Sequence, residues 1–141
     1  MISSSGVDDD WDWENQLPRS VSWREFWIYE IDGRPIGFVQ IIDPKEEESH
    51  YWGDCEADLR AIDIWIGEEQ FLGRGYGTEM MRHAIAHCFE EHRAKAILVD
   101  PMAHNTRAHR FYRRFGFEEV GPSRFGPDDC IVFRLDRQRW L

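Results

Sequence analysis

The sequence predicts an α/β protein in which a mixed, mostly antiparallel sheet is flanked by helices. Three observations lead to this fold class. Strand-like apolar runs and helix-like stripes alternate along the chain in the order β-β-β-α-β-α-β-β. An Asp-Gly pair joins the first two runs, which indicates an antiparallel hairpin. The 141 residues, 31% charged and 14% aromatic, have the composition of one globular domain with a well-supplied core.

The first two strands form the predicted hairpin. Phe26 to Ile31 and Ile36 to Ile42 are apolar runs, and Asp32-Gly33-Arg34-Pro35 joins them. The preceding residues 1–25 are polar and acidic. We therefore expect an irregular N-terminal arm over 1–25 and a compact domain over 26–141.

The third predicted strand, Leu59 to Ile66, contains an anomaly. Its alternation places Ile62, Ile64 and Ile66 on one face, and Asp63 on the other face among apolar neighbours. A carboxylate in such a strand is either a structural group that a nearby Arg or backbone N–H satisfies, or a functional group. The acidic loop before this strand, Asp43 to Glu56, is likewise either a solubilising flank or, with its aromatic residues, a cation-binding mouth.

A glycine-rich turn, Leu72-Gly73-Arg74-Gly75-Tyr76-Gly77, opens a predicted helix that runs to about Glu91. Glycines permit positive φ angles that align backbone N–H groups, and the helix N-terminus adds its dipole. Such a turn holds a pyrophosphate or serves close packing of helix on strand. It is not a P-loop, because no Lys-Ser/Thr follows, and the third glycine of a dinucleotide fingerprint is absent.

The last part of the chain is predicted to contain a strand, a helix and a terminal pair of strands. Ala96 to Asp100 is a short apolar strand, and Asn105 to Phe115 is a helix with Asn105 as its N-cap. Tyr112 lies on the apolar stripe of this helix, which by itself indicates a core residue. Phe117 to Gly121 and Cys130 to Leu135 then flank a Gly/Pro turn.

The charge is divided unevenly. Residues 1–69 hold 18 acidic and 5 basic side chains, whereas residues 70–141 hold 9 acidic and 12 basic ones. This split indicates either ordinary solvated surface or two halves that face ligands of opposite sign. The net charge of −10 argues against nucleic acid as a partner.

Membrane, secretory and metal-binding classes find no support in the sequence. No apolar run approaches the roughly 20 residues that span a bilayer, and the N-terminus lacks the pattern of a signal peptide. We therefore expect a cytoplasmic protein. The three cysteines lack C-x-x-C spacing, and His83 and His87 share a helical face without a recognisable third ligand, so the sequence predicts no metal site.

Two motifs carry a resemblance to a known family. Downstream of the strand, glycine turn and helix, the chain reads N-x-x-A-x-x-x-Y-x-x-x-G-F from Asn105 to Phe117. Together they resemble the GNAT superfamily of N-acetyltransferases over roughly residues 26–135, although Leu72 stands where the family usually has Gln or Arg. The resemblance implies a GNAT fold with splayed central strands, separated near a bulge, and acetyl-coenzyme A as co-substrate. The N-terminal part is abbreviated, from which we expect a more open acceptor pocket.

A closer likeness is to bacterial aminoglycoside 6′-N-acetyltransferases, through the stretches at 33–37, 59–63, 72–78 and 100–105. It implies a polycationic amine as partner, with Asp63 as the base-side carboxylate and Tyr112 as general acid. The implied cofactor-binding residues, besides Tyr112, are Ile64, Trp65, Ile66, Leu72, Gly73, Arg74, Gly75, Tyr76, Gly77, Thr78, Asn105 and Arg107. The implied substrate-binding residues are Trp52, Asp54, Glu56, Asp63, Asp100 and Asp128 or Asp129.

The likeness leaves other functions open. A polyamine, a siderophore hydroxylamine or a peptide amine would also suit an acidic site, and a non-catalytic acyl-CoA-binding module is a further alternative. GNAT domains often dimerise, so a homodimer is a further expectation.

Overall fold

The computed structural model describes residues 20–66 and 75–140, and within them the predicted order of strands and helices is confirmed. A four-residue helix after the last strand is the one described element that sequence reasoning missed. The elements are β1 (Arg24–Ile31), β2 (Arg34–Ile42), β3 (Leu59–Ile66), α1 (Tyr76–Glu90), β4 (Ala96–Val99), α2 (Thr106–Arg114), β5 (Glu118–Phe125), β6 (Asp128–Asp136) and α3 (Arg137–Trp140). None of these helices is long and apolar enough to cross a membrane.

The strands form one mixed sheet in the order β1-β2-β3-β4-β6-β5. Every neighbouring pair is antiparallel except β3 and β4, which are parallel. The apolar stripes of α1 and α2 join a large buried cluster with one face of the sheet. On β3 this face carries the isoleucines of the predicted alternation, whereas Leu59 and Ala61 belong to a second, smaller cluster.

The β1–β2 hairpin has a shorter turn than expected. Ile31 pairs with Arg34, so only Asp32 and Gly33 form the loop, and both have positive φ angles, of 52° and 76°. Two residues of positive φ are typical of a type I′ turn, whose twist matches that of the strands. Arg34 and Pro35 therefore belong to β2, and β1 begins at Arg24, two residues before the predicted start.

The two central strands separate after a short stretch of pairing. Three residue pairs join β3 to β4, the last being Ala61 with Leu98, and β3 then continues for five residues. The splayed strands of the prediction are therefore confirmed. The described residues of β3 contain no bulge, because β2 and β3 pair in continuous register from Gly37–Ile66 to Ile42–Ala61. The strands part instead where β4 ends at Val99, two residues before Pro101, which has no N–H to donate.

The start of α1 lies close to the end of β3 and to α2. Gly75 is the N-cap and has a left-handed φ of 82°, as the glycine-rich turn predicted. Gly77 has a different role, since a Cβ there would lie 2.9 Å from Cδ1 of Ile66 and 3.7 Å from a ring carbon of Phe111. The absent side chain therefore lets three elements approach one another. Leu72, Gly73 and Arg74 lie outside the described residues.

Candidate active site

Asp63 on β3 and Asp100, the residue that follows β4, occupy equivalent positions relative to the parallel pairing. Each lies two residues beyond the last β3–β4 pair, Ala61 with Leu98, so both side chains project from the face that carries the smaller cluster. Asp63 is 9% exposed and Asp100 3%. The structure thus brings together, at the point where the sheet opens, two buried carboxyl groups that lie far apart in sequence.

These two carboxyl groups line a cavity of about 200 Å³. Its remaining wall comes from the start of β1, the end of β2, the middle of β3 and the loop between β2 and β3. The other lining residues are Trp23, Arg24, Ile42, Glu47, Ser49, Tyr51, Trp52, Ala61 and Ile62. The predicted substrate-binding residues Trp52, Asp63 and Asp100 therefore share one cavity.

Asp100 has an unusual proton affinity for a carboxyl group. Burial raises its pKa, and the nearby charge of Asp63 raises it further. The phenol of Tyr51 opposes this shift by donating a hydrogen bond of 2.6 Å to Oδ2 of Asp100. The pKa of Asp100 is nevertheless raised to about 8, so this carboxyl group favours its protonated form at neutral pH.

Glu47 organises the loop that covers the cavity. Its carboxylate accepts hydrogen bonds from the backbone N–H and hydroxyl of Ser49 and from the backbone N–H of Tyr51. Burial raises the pKa of Glu47, but these hydrogen bonds outweigh that effect and leave the pKa below its usual range. Sequence reasoning missed this role, because Glu47 is the middle of three consecutive glutamates and nothing in the sequence separates it from its neighbours.

Two aromatic residues of the cavity wall, Tyr51 and Trp52, pack against Phe125. The rings of Tyr51 and Phe125 stack with centroids 4.4 Å apart and planes inclined by 11°. The Trp52 ring meets Phe125 edge-on at 5.2 Å. Phe125 ends β5, so the β5–β6 hairpin packs against the acidic loop. Phe125 was not a predicted site residue, since its place at the site depends on long-range packing.

The predicted acids of the last hairpin differ in their surroundings. The charge of Asp128 is among the influences that raise the pKa of Asp100, although Asp128 is not among the described residues that line the cavity. Asp129 is 78% exposed at its side chain and lies 3.9 Å from the guanidinium of Arg124. Of the two alternatives, Asp128 is the acid whose charge raises the pKa of Asp100.

The other two predicted acids, Asp54 and Glu56, are not among the described residues that line the cavity. Asp54 is exposed in the loop. Glu56 forms salt bridges with Lys95 and Arg134, and these hydrogen bonds lower its pKa to about 2. Its charge is thus already balanced by two cations of the chain.

The predicted cofactor-binding residues that the structure describes lie on three elements. Ile64, Trp65 and Ile66 are buried in β3 beyond its last pair with β4. Gly75, Tyr76, Gly77 and Thr78 form the N-terminus of α1, where no side chain caps the helix. Asn105 and Arg107 lie at the start of α2.

On α2, Asn105 has the structural role that its position predicted. Its Oδ1 accepts a hydrogen bond of 3.1 Å from the backbone N–H of Ala108. Arg107 is exposed on the same helix, whereas Arg113 is paired with Glu119 at 2.9 Å. Tyr112 is fully buried, and its ring contacts the rings of Phe111 and Phe117.

Comparison with known proteins identifies the family. Residues 4–125 match the acetyltransferase (GNAT) domain family. The chain therefore belongs to the GNAT acetyltransferase family, as its two motifs predicted.

Two relatives in the comparison are N-acetyltransferases by name. The chain is 30% identical over 114 residues to aminoglycoside N(6′)-acetyltransferase type 1 of Klebsiella pneumoniae, a match covering 80% of this chain and 56% of that protein. It is also 30% identical over 105 residues to spermine/spermidine N(1)-acetyltransferase of Bacillus subtilis, covering 74% and 66% of the two chains. The chain thus spans about half the length of the first of these relatives.

The fold is shared with a solved acetyltransferase. The structure of aminoglycoside acetyltransferase AAC(6′)-Ib in complex with coenzyme A and kanamycin superposes with a TM-score of 0.74 at 26% identity. The match covers 82% of this chain and 68% of that one.

Proposed function

We propose that this chain transfers the acetyl group of acetyl-coenzyme A to a polycationic amine, and that this amine is the 6′-amine of an aminoglycoside. The observation that carries the proposal is the pair of buried carboxyl groups, Asp63 and Asp100, in an aromatic-walled cavity where the central strands part. The activity would be of the antibiotic-resistance type and would take place in the cytoplasm.

Acetyl-coenzyme A would bind along the end of β3 and at the N-terminus of α1. The pantetheine arm would follow the backbone of β3 at residues 64–66, beyond the last pair with β4. The pyrophosphate would lie at the N-terminus of α1, where Gly75 provides no capping side chain and the helix dipole favours an anion. When bound, acetyl-coenzyme A supplies the activated acetyl group.

The acceptor has to be held as a cation and yet react as a neutral amine. Carboxylates near an ammonium group stabilise its protonated form, so binding and deprotonation require different groups. Asp100 is suited to binding, because a cation beside it favours its ionised form and lowers its raised pKa. Trp52 and the neighbouring rings offer faces on which a cationic sugar can stack.

Asp63 is suited to removing the proton. It lies on β3 next to residues 64–66, where the thioester would lie, and it shares the cavity with Asp100. The amine nitrogen attacks the thioester carbonyl carbon, and Asp63, or a water that it polarises, accepts the proton of that nitrogen.

Tyr112 would complete the reaction as the acid. As the carbon–sulfur bond breaks, its phenol donates a proton to the departing thiolate. Tyr112 is fully buried in the same cluster as Ile66 of β3, which supports this role.

A linear polyamine is the second candidate acceptor. The same pair of carboxyl groups would bind two amines of one flexible chain, and one relative is a spermine/spermidine acetyltransferase. The two candidates differ in how they would use the aromatic wall, because a sugar ring can stack on Trp52 whereas a polyamine has no ring.

A panel of acceptors tests the proposal. Release of coenzyme A thiol from acetyl-coenzyme A is measured with kanamycin, spermidine and a lysine peptide at equal concentrations. We expect the highest kcat/KM with kanamycin, and a Trp52→Ala variant that loses kanamycin turnover more than spermidine turnover. A preference for spermidine would assign the polyamine function. Binding of coenzyme A without turnover of any acceptor would make the chain a non-catalytic module.

A further inference from the structure

A group of metal-ligating side chains lies between β1 and the end of α1. Glu25 is on β1, His87 is in the last turn of α1, and His92 follows the helix. Nε2 of His87 lies 3.0 Å from Oε2 of Glu25, and Nε2 of His92 contacts the other carboxylate oxygen. One ligand atom from each of the three residues lies within 4.8 Å of the others.

We propose that Glu25, His87 and His92 bind a zinc ion or a similar divalent transition metal. Two imidazoles and one carboxylate form a common ligand set for zinc, which leaves a fourth position for water. Zinc–ligand bonds of about 2.0–2.2 Å place neighbouring tetrahedral ligand atoms roughly 3.3 Å apart. The 3.0 Å between His87 and Glu25 is already close to that separation.

Neighbouring side chains hold His87 in this arrangement. The ring of Trp27 meets His87 edge-on at 4.8 Å, and the rings of His87 and His92 are nearly perpendicular at the same distance. His83 takes no part in the triad, because it stacks on Trp27 and its Nδ1 lies 2.9 Å from the hydroxyl of Tyr29. The His83–His87 pair suggested by helical spacing is thus replaced by a triad assembled from three separate segments.

The side chains around the triad leave room for a further ligand. Glu25 and His92 border a cavity of about 60 Å³, large enough for a water molecule. Metal-bound water would therefore occupy the open position.

The proposed site is on the opposite face of the sheet from the acceptor cavity. Glu25 pairs with Ile41, which belongs to the cluster under α1, so Glu25 points to the face that α1 covers. Asp63 projects from the other face. The metal would therefore act as a clamp between the edge strand β1 and α1, and acetyl transfer would not require it.

The experiment is a titration of the purified, metal-free and tag-free chain with zinc chloride, followed by calorimetry. We expect one zinc per chain. Glu25→Gln, His87→Ala and His92→Ala should each weaken binding about tenfold or more, as the loss of a ligand requires. His104→Ala, which removes an exposed histidine elsewhere, is the matched control and should bind like the unchanged chain.

Two further measurements separate a metal site from a simple salt bridge. Cobalt(II) in the same site should give the intense visible absorption of tetrahedral coordination, and saturating zinc should raise the melting temperature by about 5 °C. Coenzyme A binding by each variant shows that the fold is retained. Absence of stoichiometric zinc binding by the unchanged chain, or binding that survives both His87→Ala and His92→Ala, overturns the proposal.

Discussion

The hydroxyl of Tyr51 donates a hydrogen bond of 2.6 Å to Oδ2 of Asp100, which joins the acidic loop to the end of β4. Glu47 holds the backbone N–H of Tyr51 from the other side at 3.0 Å. The loop is thus fixed at Tyr51 by one carboxyl group of the loop itself and by one carboxyl group of the cavity. Tyr51, which lines the cavity, thereby influences the protonation of Asp100.

Replacing Tyr51 by Phe tests this link. The variant keeps the stacked ring but loses the hydrogen bond that lowers the pKa of Asp100, so that pKa should rise further. We expect KM for the acceptor to increase about fivefold to tenfold, the cost of one hydrogen bond to a carboxyl group. KM for acetyl-coenzyme A should not change.

Tyr29→Phe is the matched control for this change. It removes the hydroxyl that bonds His83 on the other face of the sheet and should leave the acceptor KM as it is. Equal effects of the two substitutions would contradict a specific role for Tyr51.

Asp63→Asn tests the base. The amide cannot accept the proton of the attacking amine, so kcat should fall about 100-fold or more, while the dissociation constant of acetyl-coenzyme A stays the same. Steady-state kinetics and calorimetry measure the two quantities. Asp54→Asn, in the exposed part of the loop, should retain the original kcat. An unchanged rate in Asp63→Asn would remove Asp63 from the mechanism.

Asp100→Asn should stabilise the protein at alkaline pH. The folded-state pKa of Asp100, about 8, lies above the unfolded value near 4, so the folded state binds this proton more tightly. Its contribution to stability is therefore fully present below about pH 4 and is lost as the pH rises towards 8. We expect the variant to exceed the unchanged chain by a few kcal/mol in the free energy of unfolding at pH 8.

Urea denaturation at pH 5 and pH 8 measures this difference, which should be larger at pH 8. The same substitution should weaken acceptor binding, because it removes the group that takes up the cationic charge. A stability difference that does not depend on pH would show that Asp100 is ionised in the folded state.

Salt should raise the KM for the acceptor much more than it changes kcat. Exposed acids such as Glu46 would steer a polycation to the cavity. Raising the salt concentration from roughly 0.1 to 1 M shortens the Debye length from about 10 to 3 Å and so screens that attraction. We expect the acceptor KM to rise steeply over this range and kcat to change little. A flat response would identify the acidic loop as a solubilising flank. Kinetics in sodium chloride provide the measurement.

The local parts of the fold were predictable because local chemistry determines them. Asp32-Gly33 favours positive φ at two successive residues, and Asn105 caps the helix that begins beside it. Asp63 was recognisable as a site candidate because a single carboxylate interrupts an alternation of apolar residues. These signals involve residues close together in sequence.

The remaining features of the site depend on contacts between distant segments. Tyr51 and Asp100 are separated by 49 positions, and Glu25 and His92 by 67. The stacking of Phe125 on Tyr51 requires the β5–β6 hairpin to pack against the loop between β2 and β3, and no local pattern specifies that contact. The family resemblance predicted that the central strands separate. It did not predict the reason, which is that β4 ends early.

The single parallel pair in the sheet has a consequence for the order of assembly. The hairpins β1–β2 and β5–β6 pair residues that are close in sequence, whereas β4 pairs with both of its neighbours over long separations, Leu59 with Ala96 on one side and Ala96 with Asp136 on the other. Contacts that close long loops form late in folding. The two hairpins should therefore form first and β4 should be added last, so the acceptor cavity between β3 and β4 exists only in the fully assembled molecule. A chain still emerging from the ribosome, with β4 incomplete, would have no means of holding an acceptor.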